Sequence, residues 1–168
     1  MPQIYVSIGT NQQRRRNLTL ALDSLHKTFG CLTLSPVYES VAVGFSGDEF
    51  YNMVVGFHSE ELIETINRYF KQVEKLSGRN HSLPKFGNRT LDIDLLSYGD
   101  CVRVEPITLP KPEILYHAFV LKPFNDIAPF WEHPVKKQSI RALWLAFDQE
   151  QQQLHPIDNP IPMEKYQQ

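Results

Sequence analysis

The run Lys85-Phe86-Gly87-Asn88-Arg89-Thr90-Leu91-Asp92-Ile93-Asp94-Leu95-Leu96 is the stretch on which the reading of the fold turns. From Leu91 onward it reads as a buried strand that carries two acids. Side chains alternate across a strand, so Leu91, Ile93 and Leu95 share one face, and Asp92 and Asp94 stand side by side on the other. Two like charges at that spacing raise each other's proton affinity unless a cation lies between them. Mg²⁺ suits such a pair, because it takes one or two carboxylates together with substrate phosphates. Arg89, just upstream, offers phosphate a fork of donors. The plainer reading is a half-buried strand with an acidic outer face. The apolar setting, and the glycine-containing loop that brings Lys85 and Arg89, favour metal–phosphate chemistry.

Upstream of this strand, residues 3–8 are rich in β-branched and aromatic side chains and end at Gly9, which predicts a first strand. A turn at residues 9–11 leads into a helix whose apolar positions are Leu18, Leu22, Leu25 and Phe29, stopped by Gly30. Arg14, Arg15 and Arg16 at its start oppose the helix dipole and read as solvated cations or a phosphate patch. Residues 31–38 and 50–57 read as the second and third strands, joined by a glycine-bearing loop at 39–49. Ser59 is placed to N-cap a helix with the stripe Leu62, Ile66, Tyr69, Val73 and Leu76, ending near Gly78. A polar loop over residues 79–88 follows, then the aspartate strand, then a short strand at 102–104.

The order strand, helix, strand, strand, helix, strand predicts an α+β fold with a ferredoxin-like βαββαβ core. Its antiparallel sheet would carry both helices on one face. Helices at 113–121 and at 139–147, the latter from a Ser139 cap, form a mostly helical C-terminal extension. Residues 1–148 then make one domain, and the Gln- and Pro-rich residues 149–168 a loosely packed or disordered tail.

The 168 residues suffice for one domain with a real core, and 42% hydrophobic and 21% charged residues describe a globular protein. A net charge of −2 argues against a nucleic-acid-binding domain. Cys31 and Cys101 lack metal-type spacing and read as buried thiols in a reducing compartment. With no signal-type start and no apolar run of membrane length, a cytoplasmic monomer without nucleic-acid or membrane partners is expected.

At five places in the right order the chain resembles the hydroxymethyl-dihydropterin pyrophosphokinase (HPPK) family. They are Ile8-Gly9-Thr10-Asn11; Phe50-Tyr51-Asn52-Met53-Val54-Val55; Glu74-Lys75-Leu76-Ser77-Gly78-Arg79; Phe86 to Asp94, where proline is usual in place of Asn88; and Phe119 to Pro123 with Asp126 to Pro129. The resemblance implies transfer of diphosphate from ATP to the hydroxymethyl group of 6-hydroxymethyl-7,8-dihydropterin, with release of AMP. Asp92 and Asp94 would hold two Mg²⁺, with Asp94 assisting deprotonation of the pterin hydroxyl. Arg79 and Arg89 would stabilise phosphate charge. Glu74, His81, Lys85, Leu95, Thr108, Lys111 and His117 fall at positions around the nucleotide and its metals. Phe86 and Phe119 match the pterin-stacking positions and Asn52 the amide reader, with Ser40, Val43 and Phe50 beside them. From sequence, each phenylalanine also reads as core and Glu74 also as a solvated helix acid.

The departures cluster around the phosphates. A basic residue is usual where His81 stands, His where Lys111 stands and Arg where His117 stands. Histidine is only partly charged near neutral pH and lacks the bidentate fork of arginine. An active pyrophosphokinase, a non-catalytic pterin- or nucleotide-binding relative and a metal-dependent phosphohydrolase using Asp92 and Asp94 therefore all stand as readings.

Overall fold

In the computed structural model, residues 1–41, 47–78, 91–158 and 160–168 are described. Strand β1 (Gln3–Thr10) is followed by helix α1 (Arg14–Phe29), β2 (Thr33–Leu34), β3 (Val37–Ser40), β4 (Phe50–His58), α2 (Ile63–Leu76) and β5 (Asp92–Tyr98). A 3₁₀ turn (Pro112–Leu115), α3 (Ala118–Ile127), α4 (Ile140–Ala146), β6 (His155–Ile157) and a last 3₁₀ turn (Glu164–Tyr166) complete the chain. The sheet order is β5-β1-β4-β3-β6, with β2 also on β4 and every pairing antiparallel. Without β6 this is the expected ferredoxin-like order.

Alternation along the strands loads both faces of the sheet. Ile4, Val6, Ile8, Met53, Val55, Phe57, Ile93 and Leu95 pack on one face, under Leu18, Leu22 and Leu25 of α1 and Ile66, Phe70 and Val73 of α2. Val54 and Leu96 lie on the other, covered by Ile114, Val120, Leu121, Phe124 and Ile140. Each such buried side chain contributes about 1.5–3 kcal/mol. Gly30 stops α1 at φ 79°, in the left-handed region open to glycine, as expected.

Local chemistry redraws several expected boundaries. The second strand is split at Pro36, which has no N–H to offer a ladder. Ser35 bridges the gap: its N–H donates to the Val54 carbonyl (3.0 Å) and its hydroxyl accepts from the Val54 N–H (2.9 Å). Ser59 does not cap α2. Its hydroxyl accepts from the Glu61 N–H, two residues on, and Leu62 occupies the N-cap position. Leu62 and Leu76 are 69% and 67% exposed, so the packed stripe is Ile63, Ile66, Phe70 and Val73. The strand expected at 102–104 is only a bridge between Arg103 and Leu109, its two valines exposed.

The helix expected over 113–121 is broken. The 3₁₀ turn ends at Leu115, His117 is extended (φ −120°, ψ 120°), and α3 starts afresh at Ala118. The expected loose tail is instead packed. β6 pairs with β3, Ile161 and Tyr166 are buried, and the Tyr166 hydroxyl donates to Asp23 of α1 (2.7 Å). Among the described residues no helix is long and apolar enough to cross a membrane.

Candidate active site

Residues that pair directly across a sheet share a face. Gly9 pairs with Asn52 on one side and Asp92 on the other, and Tyr38 pairs with Asn52. Tyr38, Asn52, Gly9 and Asp92 therefore form one row across four strands. Ser40 and Phe50 form the next pair outward, and Asp94 lies one step inward, opposite Ser7. All face the side covered by α3, which packs on β3 and β4. The Tyr38 hydroxyl donates to Asp126 of α3, tying the helix to the sheet, and Lys122 of the same helix lies 2.5 Å from that carboxylate. Burial and the Asp126 carboxylate both push the Tyr38 hydroxyl up from its ordinary value.

Asn52 is buried and donates from Nδ2 to the Ser40 hydroxyl at 2.7 Å. Its Oδ1 lies over Gly9, where an added Cβ would sit 3.3 Å away. The absence of a side chain at Gly9 thus leaves that amide room. Phe119, at the start of α3, is partly buried against the core of this face, with the His117 ring stacked on it at 4.7 Å and 13°.

Asp94 is pushed up to about 6 by burial first and the Asp92 charge second, with Lys111 and Lys71 pulling the other way. Lys111 reaches it through a bulge. The β1–β5 register shifts so that Leu96 is extra on β5, and its carbonyl accepts from the Lys111 N–H (2.8 Å). That bond docks the Lys111 segment beside β5, with Nζ 3.5 Å from Asp94 Oδ1. Burial pulls the Lys111 ammonium down, and Asp94, Glu113 and Asp92 more than reverse it, so the net shift is upward.

Behind the acids lies Glu74, fully buried rather than solvated. Its Oε1 accepts from the Ile93 N–H at 2.9 Å, between the two aspartates, and Lys71 sits 3.3 Å from its other oxygen. Among the described residues β5 is an edge strand, and Glu74 satisfies a backbone donor that the ladder leaves over.

The structure therefore brings Ser40, Phe50, Asn52, Asp92 and Asp94 together on one face, with Phe119 and His117 over it, Lys111 on Asp94 and Glu74 behind. Two of the expected nucleotide positions are not brought into this group. The Leu95 side chain points into the α1/α2 core, on the face opposite the acids, because it alternates with Asp94; its side chain cannot reach a ligand there. Thr108 is exposed, and its hydroxyl donates within its own turn to the Val104 carbonyl (2.8 Å). Burial lowers His117, with Glu113 partly opposing, so in the free protein it is not the raised, cationic group that a phosphate contact would make it. Val43, Arg79, His81, Lys85, Phe86 and Arg89 lie outside the described residues.

Of the three arginines, Arg14 is committed to structure. It pairs with Glu39 at 2.7 Å and lies 4.0 Å over the Tyr51 ring. Lys71 was missed by sequence reasoning, although its place one turn before Glu74 was a usable signal.

The acid pair fits a hard divalent cation. Two oxygen donors share one face, and burial beside a like charge raises Asp94, a cost that a cation between them removes. Among the described residues no group of three or more acids, histidines and cysteines gathers.

Sheet order and acid pair together describe an α+β sandwich with a candidate metal–phosphate site at one end of its sheet. The model of 7,8-dihydro-6-hydroxymethylpterin-pyrophosphokinase (HPPK) matches residues 5–129. The chain belongs to the HPPK family. It is 31% identical over 144 residues to a 2-amino-4-hydroxy-6-hydroxymethyldihydropteridine pyrophosphokinase of Aquifex aeolicus, covering 84% of this chain and 89% of that one. It is 33% identical over 149 residues to the folic acid synthesis protein fol1 of Pneumocystis carinii, covering 83% of this chain but 19% of that longer protein. Among solved structures, a Plasmodium falciparum HPPK-DHPS superposes with a TM-score of 0.71 at 15% identity, over 86% of this chain and 45% of that one.

Proposed function

We propose that the chain transfers the terminal diphosphate of ATP to the hydroxymethyl group of 6-hydroxymethyl-7,8-dihydropterin and releases AMP. The observation that carries this reading lies inside the family-matched region. The acid pair, the Ser40–Asn52 amide and Phe119 converge on one end of one sheet face. The name of the Aquifex relative supports the same substrate and the same donor chemistry.

Diphosphate transfer needs alignment and charge neutralisation more than a covalent nucleophile. Two Mg²⁺ held by Asp92 and Asp94 would neutralise phosphate charge and polarise the attacked phosphorus. Asp94, beside the ions, would assist removal of the pterin hydroxyl's proton, which the metal charge itself would make more acidic. Phe119 supplies a face on which a flat heterocycle stacks. With Nδ2 of Asn52 committed to Ser40, its Oδ1 accepts from the heterocycle edge. Glu74 holds the strand between the acids, so their spacing does not depend on ligand. Lys111 neutralises Asp94 in the free protein and passes to phosphate when the acids take a metal. The reading implies two small-molecule ligands and a monomer acting in the cytoplasm.

The test is to supply Mg-ATP with and without the reduced pterin and to identify the nucleotide product. Pterin-dependent AMP is expected. ATP hydrolysis independent of pterin would replace the reading with a phosphohydrolase, and binding without turnover would replace it with a binding protein.

A further inference from the structure

The sequence pattern over 113–121 asks for one continuous helix, and the chain breaks it at Tyr116 and His117. A break exposes backbone groups that a continuous helix would have paired, and these need partners from elsewhere. One residue of the C-terminal tail meets two of them. Gln152 accepts at Oε1 from the Ala118 N–H (2.9 Å) and donates from Nε2 to the Tyr116 carbonyl (2.8 Å). A single carboxamide thus spans His117, gripping the backbone on either side as a neighbouring strand would.

The tail then crosses to the other wall of the site. Three residues on, β6 pairs with β3 in the register Glu39 with His155, Tyr38 with Pro156 and Val37 with Ile157. β3 ends at Ser40, the partner of Asn52. Farther along, the Tyr166 carbonyl accepts from the Leu32 N–H (2.8 Å), and its hydroxyl reaches Asp23, so the end of the strap is anchored. This segment lies wholly beyond residues 5–129, which the family model matches.

We infer that the C-terminal segment is a positioning strap for the ligand site, with Gln152 holding the break in the helix that sets the His117–Phe119 stack over the Ser40–Asn52 wall. Gln152 is a positioning residue and touches no reacting atom. Losing its carboxamide lets residues 116–118 wind toward the continuous helix that their sequence favours. Each residue added to a helix turns the next by about 100°, so Phe119 would leave its place over the sheet. The pterin part of the inference rests on the proposed function; the stacking part does not.

The experiment uses the full chain with Gln152→Leu, which keeps bulk and removes both hydrogen bonds, and two readouts. One is the dissociation constant of 6-hydroxymethylpterin in the presence of a non-hydrolysable Mg-ATP analogue. The other is the NMR position of the His117 ring protons, which the stacked Phe119 ring displaces. Two hydrogen bonds of ordinary strength predict a roughly tenfold weaker pterin affinity, with the His117 resonances moving toward the unstacked position. An unchanged His117 resonance overturns the inference, and so does an unchanged affinity in a protein that binds pterin. If the wild-type chain binds no pterin, the proposed function fails, and the His117 resonance alone decides the inference. If Gln152→Leu does not fold, Gln152→Glu decides by the same readouts, since it keeps the acceptor for Ala118 and loses the donor to Tyr116.

Discussion

Replacing Lys111 by methionine keeps most of the aliphatic stem and removes the ammonium 3.5 Å from Asp94 Oδ1. At an effective dielectric near 20, a unit pair about 4 Å apart interacts by about 4 kcal/mol. Both side chains are partly open to water, at 28% and 29% exposure. Screening and desolvation therefore leave about 1–1.5 kcal/mol net. Three consequences follow, the last two of opposite sign. Asp94 loses a group that pulls its proton affinity down, so its titration should move above the present value of about 6. At mildly alkaline pH, where the carboxylate is ionised in both forms, Mg²⁺ no longer competes with an internal cation. Calorimetry without nucleotide should then find Mg²⁺ bound roughly five- to tenfold more tightly by Lys111→Met. Mg-ATP affinity should move the other way, because a phosphate contact is lost. If Mg²⁺ affinity falls or stays the same while Mg-ATP affinity is unchanged, Lys111 is neither a counterion to the acid pair nor a nucleotide contact.

Glu74→Leu should lower stability by about 1–3 kcal/mol in urea titrations, because the Ile93 N–H loses its acceptor; Glu74→Gln, which can still accept, should lose less. Gly9→Ala should weaken pterin binding more than it lowers the thermal midpoint, since the new Cβ crowds Asn52 Oδ1 at 3.3 Å; equal loss of both would point to general damage. Burial holds His117 and His133 below the ordinary histidine value, so the folded chain keeps both neutral where the unfolded chain takes up protons. Stability should be full above about pH 6.5 and fall as pH drops through the depressed values. His133→Asn should reduce that dependence, because the His133 Nδ1 now accepts from Val135 and Lys136 (3.3 and 3.1 Å), a role in which it must be unprotonated. A urea midpoint flat between pH 8 and 5 would refute this.

Alternation around Asp92 and Asp94 was enough to place both acids on one face, and the stripe of Leu18, Leu22 and Leu25 was enough to dock α1. Those features depend on local period, which a sequence displays directly. Glu74 was harder, because an acid on a helix looks solvated until the helix is laid beside an edge strand with a spare N–H. Lys111 owes its position to the extra residue at Leu96, and a bulge has no reliable mark in the sequence. The tail misled for a related reason. Its glutamines and prolines read as unfolded, yet Tyr166 and Ile161 anchor it, and Gln152 finds backbone partners that exist only because a helix elsewhere is broken. Tertiary context, not propensity, decided all three.

The most direct test of diphosphate transfer at the acid pair follows the β-phosphorus. ATP labelled at that position is given to the wild-type chain with reduced 6-hydroxymethylpterin, and to Asp92→Asn and Asp94→Asn variants whose circular dichroism confirms the fold. Diphosphate transfer at the acid pair predicts label in the pterin product of the wild-type chain, unlabelled AMP, and no labelled pterin from either variant. Label appearing in ADP, or labelled pterin formed at a normal rate by either variant, would contradict it.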